Sequence, residues 1–375
     1  MSHLPLYTQR GISLERGREA LVWDTNGREY IDCIGGIGTA SIGHAHPRIA
    51  EALTEQASKI ISVSGAFANP TRDTFVEKLA SITPEGLDRV FLCNSGTEAI
   101  EAAIKLARYT SGKPGIISAV RAYHGRTLGA LSATHAPAYR EPFLPLVEGF
   151  AHVPYNDASR IEEAIDENTA AVLLEPIQGE GGVHVPDDGY LRDVRRICDE
   201  HGVILILDEV QTGMCRTGRM FACEHDTITP DILCLAKAIA GGVPMGAVVC
   251  TDRIEVPTGR HGTTFGGNPL SCAAGNAALD IMIEESLASQ AHRKGTTTLE
   301  RLRSIRSARI RDVRGRGLLI GIELKEKAKP YVDELARRGI LVMPTGPRII
   351  RLIPPLVITD EQLETVCDAI EDVLR

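Results

Sequence analysis

Two short apolar runs most constrain how this chain can fold. Ile204-Leu205-Ile206-Leu207 ends in Asp208-Glu209-Val210-Gln211-Thr212-Gly213, and Ile232-Leu233-Cys234-Leu235 is followed by Ala236 and Lys237. Each run has strand length, is bounded by polar or turn residues, and is apolar throughout rather than alternating. Such strands are buried on both faces, as in parallel sheets, and functional groups collect at their C-terminal ends. The two runs therefore bring a carboxylate and an amine to one rim of one sheet.

A buried carboxylate can keep a pyridinium nitrogen protonated, and a lysine amine can form an imine with an aldehyde. Pyridoxal phosphate chemistry requires that pair. Taken alone, the two residues fit equally well a Lys and an Asp that merely end strands. A phosphate site tips the balance. The segment Leu92-Cys93-Asn94-Ser95-Gly96-Thr97-Glu98-Ala99 passes from strand into helix, and Ala102, Ala103, Ile104, Leu106 and Ala107 continue at helical spacing. Ser95 with Glu98 has the form of a capping box. Gly96 admits close backbone approach, Thr97 adds a hydroxyl, and the free N–H groups and dipole at a helix start favour phosphate. By itself this word caps helices everywhere; upstream of Asp208 and Lys237 it completes a cofactor site.

The chain resembles the class III (ω-amino-acid) aminotransferases of PLP fold type I from about Tyr7 to Leu374. Seven words in family order carry the resemblance: Asn94–Ala99, His124-Gly125-Arg126-Thr127, Glu175-Pro176-Ile177-Gln178-Gly179-Glu180, Asp208–Gly213, Leu235-Ala236-Lys237-Ala238, Thr264-Phe265-Gly266-Gly267-Asn268-Pro269, and Arg351-Leu352-Ile353-Pro354-Pro355-Leu356. The resemblance implies an α/β fold with a doubly wound, mostly parallel central sheet and a smaller α+β domain. It implies pyridoxal 5'-phosphate as cofactor. Lys237 occupies the Schiff-base position and, with Asp208 at the pyridinium nitrogen, is the expected catalytic pair. Glu209 falls among the expected cofactor-binding positions. Gln211 is expected at the ring's phenolic oxygen, Val210 under one ring face and Tyr123 over the other, where many relatives have Phe. Gly96, Thr97 and Thr264 match the phosphate cup, with the Thr264 position supplied by the neighbouring subunit. Thr263, where relatives often have Ser, is expected at that same boundary, so a homodimer at least is implied.

Substrate residues follow in the same way. Arg351 stands where relatives fix the α-carboxylate of glutamate, and a bidentate guanidinium orients as well as binds. Glu180 stands where a carboxylate neutralises that arginine when the other substrate is present. Arg126 matches the position that receives a distal carboxylate, and Tyr7 one where some relatives bind a carboxylate through tyrosine.

The bulk properties agree. With 375 residues the chain can bury one large core and a smaller one. A net charge of −8, with 24% charged residues, argues against a nucleic-acid partner. Nine cysteines without a C-x-x-C pair suggest reduced thiols and a cytoplasmic setting. No apolar stretch reaches membrane-spanning length and residues 1–10 lack a hydrophobic h-region, so a soluble, unexported protein is expected.

Three segments are expected: an arm and hairpin over 1–45, a large α/β domain over 46–265, and connecting helices with a small α+β domain over 266–375. Asn26-Gly27 between strand-like runs marks the hairpin. Helices are expected at 47–60, 71–82, 97–110, 158–166 and 188–201, and strands at 89–93, 115–119, 171–175, 203–208, 231–235 and 246–250. After helical spans near 269–284 and 287–305, the pattern reads strand 318–324, helix 330–338, strands 340–343 and 348–352, and helix 360–374 capped by Thr359 and Gln362. Arg314-Gly315-Arg316-Gly317 resembles a dinucleotide loop but enters a strand, the wrong order for one. His44-Ala45-His46 and Cys223-Glu224-His225 lack zinc-site spacing, and no metal is expected.

The ω-amino motifs favour transfer of a terminal amine from a diamino acid to 2-oxoglutarate, with glutamate as the returning donor. Segments 139–148 and 323–331 resemble the branch in which the substrate's α-amine is blocked by a small acidic amino-group carrier protein, in lysine and sometimes arginine biosynthesis. N-acetylornithine of arginine biosynthesis is the alternative. Residues 301–316 hold seven arginines against one acid, Asp312. That excess can steer an acidic carrier; its plainer reading is a solvated helix end and strand edge. A PLP aminomutase would have no use for the Glu180/Arg351 switch, and a non-catalytic PLP-binding protein none for Lys237, Asp208 and Arg351 together.

Overall fold

The computed structural model describes Leu4, Leu6 and residues 8–375. Its centre is a seven-stranded sheet in the order Arg89–Cys93, Gly246–Cys250, Ile232–Leu235, Ile204–Asp208, Thr169–Leu174, Gly115–Ala119, Phe150–Val153. Neighbours run parallel except Gly246–Cys250, which is antiparallel to both of its partners. All residues of Ile204–Asp208 and Ile232–Leu235 are buried. Alternate side chains explain why. Leu205, Leu207, Leu233 and Leu235 join the core on one face, while Ile204, Ile206, Ile232 and Cys234 join the core on the other. Continuous apolar sequence is what a strand covered on both faces requires.

Helix Gly96–Ser111 packs across the strands ending at Asp208, Leu174 and Leu235. Its apolar residues recur at helical spacing, and it stops at Gly112 in the left-handed conformation (φ 70°). Helix Leu128–Ala133, absent from the sequence expectations, starts where Glu101 accepts the N–H groups of Gly129 (2.7 Å) and Ala130 (3.1 Å). A cap supplied from another helix leaves no local signature.

Two four-stranded sheets flank the large one. Leu21–Asp24 and Glu29–Asp32 form the expected hairpin and continue to Ile340–Leu341, which pairs in parallel with Ile31 and Asp32. The second sheet runs Ile310–Arg316, Leu319–Leu324, Ile349–Leu352, Met343–Thr345. The single strand expected over 340–343 is therefore divided. Val342 is buried between two short strands that belong to different sheets, and Pro344, which has no N–H, is tolerated because Met343–Thr345 is an edge. Strand Ile310–Arg316 was hidden by its arginines, which suit the opposite, exposed edge of that sheet. Gly317 (φ 56°) and Leu318 turn a hairpin into Leu319–Leu324, while Gly315 lies in the strand opposite Ile320, as expected for a segment that is no dinucleotide loop. The last helix, Asp360–Leu374, carries the reciprocal Thr359–Gln362 cap. No described helix is long and apolar enough to cross a membrane.

Candidate active site

The C-terminal rim of the large sheet opens into a cavity of about 440 Å³. Lys237, Asp208, Val210, Gln211, Gly96, Thr97, Tyr123, Arg126 and Glu180 all line it, so residues as distant in sequence as Gly96 and Lys237 converge on one space. Asp208 lies opposite Cys234 in the parallel register, which fixes how near the strand ends hold the carboxylate and Lys237.

Asp208 is held by both oxygens. Oδ2 lies 2.7 Å from His124 Nδ1, and Oδ1 accepts the Val210 N–H at 3.0 Å. His124 is itself buried and its Nε2 is 3.2 Å from Ser118 Oγ. Lys237 has a left-handed backbone (φ 50°), a conformation non-glycine residues adopt at a cost and hold where surrounding structure dictates it. Burial pushes its amine pKa down, with Glu180 and Asp208 pulling the other way. The neutral amine, the nucleophilic form, is thereby favoured.

At the helix start, Ser95 Oγ accepts the Glu98 N–H at 3.3 Å, one half of the expected capping box. The other half is corrected: Glu98 Oε2 accepts the backbone N–H (2.7 Å) and side-chain amide (2.9 Å) of Asn94 instead of the Ser95 N–H. Asn94, which lines the cavity and had no assigned role, is fixed by that carboxylate. A Cβ at Gly96 would fall 2.7 Å from Val210 Cγ1, so this glycine is required by close approach. Thr97 Oγ1 is 2.7 Å from Thr127 Oγ1.

The wall opposite carries charge. Arg351 is fully buried, and its Nη2 meets Glu180 Oε1 at 2.6 Å. Arg351 does not itself line the cavity; it stands behind Glu180 with Nη1 3.4 Å from Gln211 Oε1. Glu175, another residue without a prior role, lines the cavity and accepts the N–H groups of Tyr123 and Gly179, both at 3.0 Å. Burial pushes its pKa above the ordinary carboxylate range. Both His124 and Glu175 sit inside the sequence words that carried the resemblance; Thr39, which also lines the cavity, had no sequence signal.

Three expectations fare differently. Glu209, expected to touch cofactor, turns its carboxylate away from the cavity. It accepts Ala222 N–H at 2.6 Å, Cys223 N–H at 2.8 Å and the Thr212 hydroxyl at 3.2 Å. The strand's alternation sends successive residues to opposite sides, so Asp208 faces the cavity and Glu209 the scaffold. Burial pushes the Glu209 pKa up to about 7. Thr263 and Thr264 are exposed and outside the cavity, with Thr263 Oγ1 accepting from the Asn94 amide at 3.2 Å. Tyr7 lies outside the described residues.

The cavity's donor set suits pyridoxal phosphate. Gln211 Nε2 is buried with no partner among the described residues, a donor awaiting an acceptor such as a phenolic oxygen. Gly96 and Thr97 open a helix at the cavity wall, beside a fixed carboxylate at Asp208 and a buried amine at Lys237.

Comparison with known proteins gives the family. The family described as Aminotransferase class-III matches residues 6–374. The LysW-aminoadipate semialdehyde transaminase of Deinococcus radiodurans is 48% identical over 375 residues, covering 99% of this chain and 87% of that protein. The acetylornithine aminotransferase of Methanosarcina acetivorans is 47% identical over 366 residues, covering 97% and 92% respectively. Among solved structures, the ornithine aminotransferase of Toxoplasma gondii superposes with a TM-score of 0.96 at 39% identity, covering 100% of this chain and 92% of that one. A second structure of the Toxoplasma enzyme is described as carrying PLP at partial occupancy in its active site. The chain belongs to the class III aminotransferases: it is an enzyme of PLP fold type I, and pyridoxal phosphate is its cofactor.

Proposed function

We propose that this aminotransferase moves the terminal amino group between glutamate/2-oxoglutarate and a diamino acid whose α-nitrogen is blocked, the block being an amino-group carrier protein. Free N-acetylornithine is the second reading, favoured by relatives of that name at near-equal identity. The observation that carries the general proposal is the Glu180–Arg351 pair beside the cavity. An enzyme that must admit glutamate's α-carboxylate and then a substrate without one at that place needs a buried cation whose counter-ion can move.

When bound, the cofactor supplies an electron sink for the carbon that loses its proton. Lys237 Nζ would hold it covalently and, once displaced by the substrate amine, would be free to move the proton at the substrate carbon. Asp208, fixed by His124, would keep the ring nitrogen protonated. Val210 and Tyr123 would enclose its ring, Gln211 Nε2 would be free to donate to its phenolic oxygen, and Gly96 and Thr97 would hold the phosphate. Arg351 receives the α-carboxylate of glutamate once Glu180 swings aside, and Arg126 receives the carboxylate remote from the reacting amine.

Thr264 lies outside its own chain's cavity yet stands in the family's phosphate-binding word. We assign it, with Thr263, to the partner subunit's site in a homodimer, and leave Tyr7 as a further carboxylate contact. All nine cysteines are free and buried, which suits the cytoplasm.

The arginine-rich stretch gives the carrier reading little help. Arg301 pairs with Glu364, Asp368 and Glu371, Arg309 with Glu326, Arg311 and Arg314 with Glu323, and Arg316 with Asp188. Most of its charge is thus satisfied within the chain. The deciding experiment is a single-turnover amine half-reaction with holoenzyme, offered carrier-linked lysine or N-acetylornithine. Conversion at far lower concentration of the carrier-linked amine supports the first reading; the reverse order replaces it with the second.

A further inference from the structure

We propose that Tyr139 is a positioning residue for substrate selection: with the Tyr123 hydroxyl it clamps the Arg126 guanidinium so that its terminal nitrogens form a carboxylate fork at the cavity. The inference rests on the reading of Arg126 as the site of the remote carboxylate.

The geometry is a three-sided hold. Arg126 Cζ lies 3.8 Å over the centroid of the Tyr139 ring and 5.6 Å from that of Tyr123. The two rings meet edge to face, 5.8 Å apart at 79°. Arg126 Nε donates to the Tyr123 hydroxyl at 3.1 Å. Tyr139 does not line the cavity, so it can act on substrate only through Arg126.

Each contact removes a different freedom. The Tyr139 ring face attracts the cation and uses the guanidinium's flat face, leaving its edge open. The Tyr123 hydroxyl takes Nε, which fixes rotation within that plane. What remains is the end bearing Nη1 and Nη2, whose in-plane N–H groups match both oxygens of a carboxylate. Arg126 is exposed, and an exposed arginine otherwise samples many rotamers. Holding it before substrate arrives lowers the ordering cost of binding. The hydroxyl that distinguishes Tyr123 from phenylalanine thereby gains a task separate from stacking on the cofactor.

The test compares two amines in single-turnover half-reactions of the holoenzyme: N-acetylornithine, and N-acetylputrescine, which has the same reacting end without the carboxylate. Tyr139→Leu is expected to raise the half-saturating concentration of N-acetylornithine about two- to fivefold, the range of an exposed cation–π contact. Its limiting rate, and the apparent second-order rate constant for N-acetylputrescine, should stay at wild-type values. Tyr139→Phe keeps the ring and should match wild type; Tyr139→Gln is the second variant should leucine misfold. An equal effect on both amines, or a phenylalanine variant as impaired as leucine, overturns the clamp. Arg126→Lys separates the two levels of the argument. If it discriminates between the amines while Tyr139→Leu does not, only the clamp falls. If it treats the amines alike, the reading of Arg126 fails and the clamp with it.

Discussion

Arg351 and Glu180 meet at 2.6 Å, but the arginine side chain is fully buried while a quarter of the glutamate side chain is exposed. Arg351 Nε has no partner among the described residues. The pair therefore has one fixed member with hydrogen-bonding capacity in reserve and one that can move toward solvent. That asymmetry is what an ionic switch between two substrates needs.

Removing the mobile member should bias the switch. Glu180→Gln is expected to lower the half-saturating glutamate concentration about tenfold, the order of one charge-assisted contact. The half-reaction with the blocked diamino acid should slow, because the bared guanidinium keeps attracting carboxylates. Stability should fall by roughly 1–3 kcal/mol, below the usual cost of breaking a fully buried pair because Glu180 is partly solvated. Single-turnover titrations with both substrates check this; an unchanged ratio between them would remove Glu180 from the switch.

Lys237 makes a pH prediction. Burial sets its pKa below the ordinary 10.5. Only the neutral amine reacts with an aldehyde, so capture of pyridoxal phosphate by cofactor-free enzyme should accelerate with pH and level off with a midpoint below 10.5. Stopped-flow absorbance across pH 7–11 measures it, and a midpoint at or above the ordinary value contradicts the buried placement.

Glu209 should prove to be scaffold. Glu209→Ala strips the acceptor from two buried N–H groups and a hydroxyl. A loss of about 2–4 kcal/mol in denaturant titration is expected, with the cofactor Kd changed less than about threefold. Intact stability with a large loss of cofactor affinity would return Glu209 to the binding site.

His225 should make the fold acid-sensitive. Burial, aided by Arg316, lowers its pKa from 6.5 to about 4, while its Nε2 stays within 3.2 Å of Thr217. Between those values the unfolded chain binds a proton that the native state refuses. Its contribution is present above pH 6.5 and is lost as pH falls toward 4. Melting curves over that window should drop less steeply for His225→Asn than for wild type. Parallel slopes would show that this histidine is solvated.

Elements whose chemistry is local were legible in the chain. Continuous apolar runs at 204–207 and 232–235 named two-faced strands because no other environment accepts them. Asn26-Gly27, the Ser95 cap and the Thr359–Gln362 box declared their turns and helix starts through contacts a few residues long. Words around Asp208, Lys237 and Gly96 pointed to residues that line one cavity, because their joint occurrence in family order constrains what no single residue type does. Tertiary structure decided what depends on distant partners. It sent Glu209 to Ala222 and Cys223, gave Asp208 its histidine, capped helix 128–133 from Glu101, divided strand 340–343 between two sheets, and neutralised most of the arginines of 301–316. A side chain's type is written in the chain; the direction it points and the charge it meets are fixed only when remote segments pack against it.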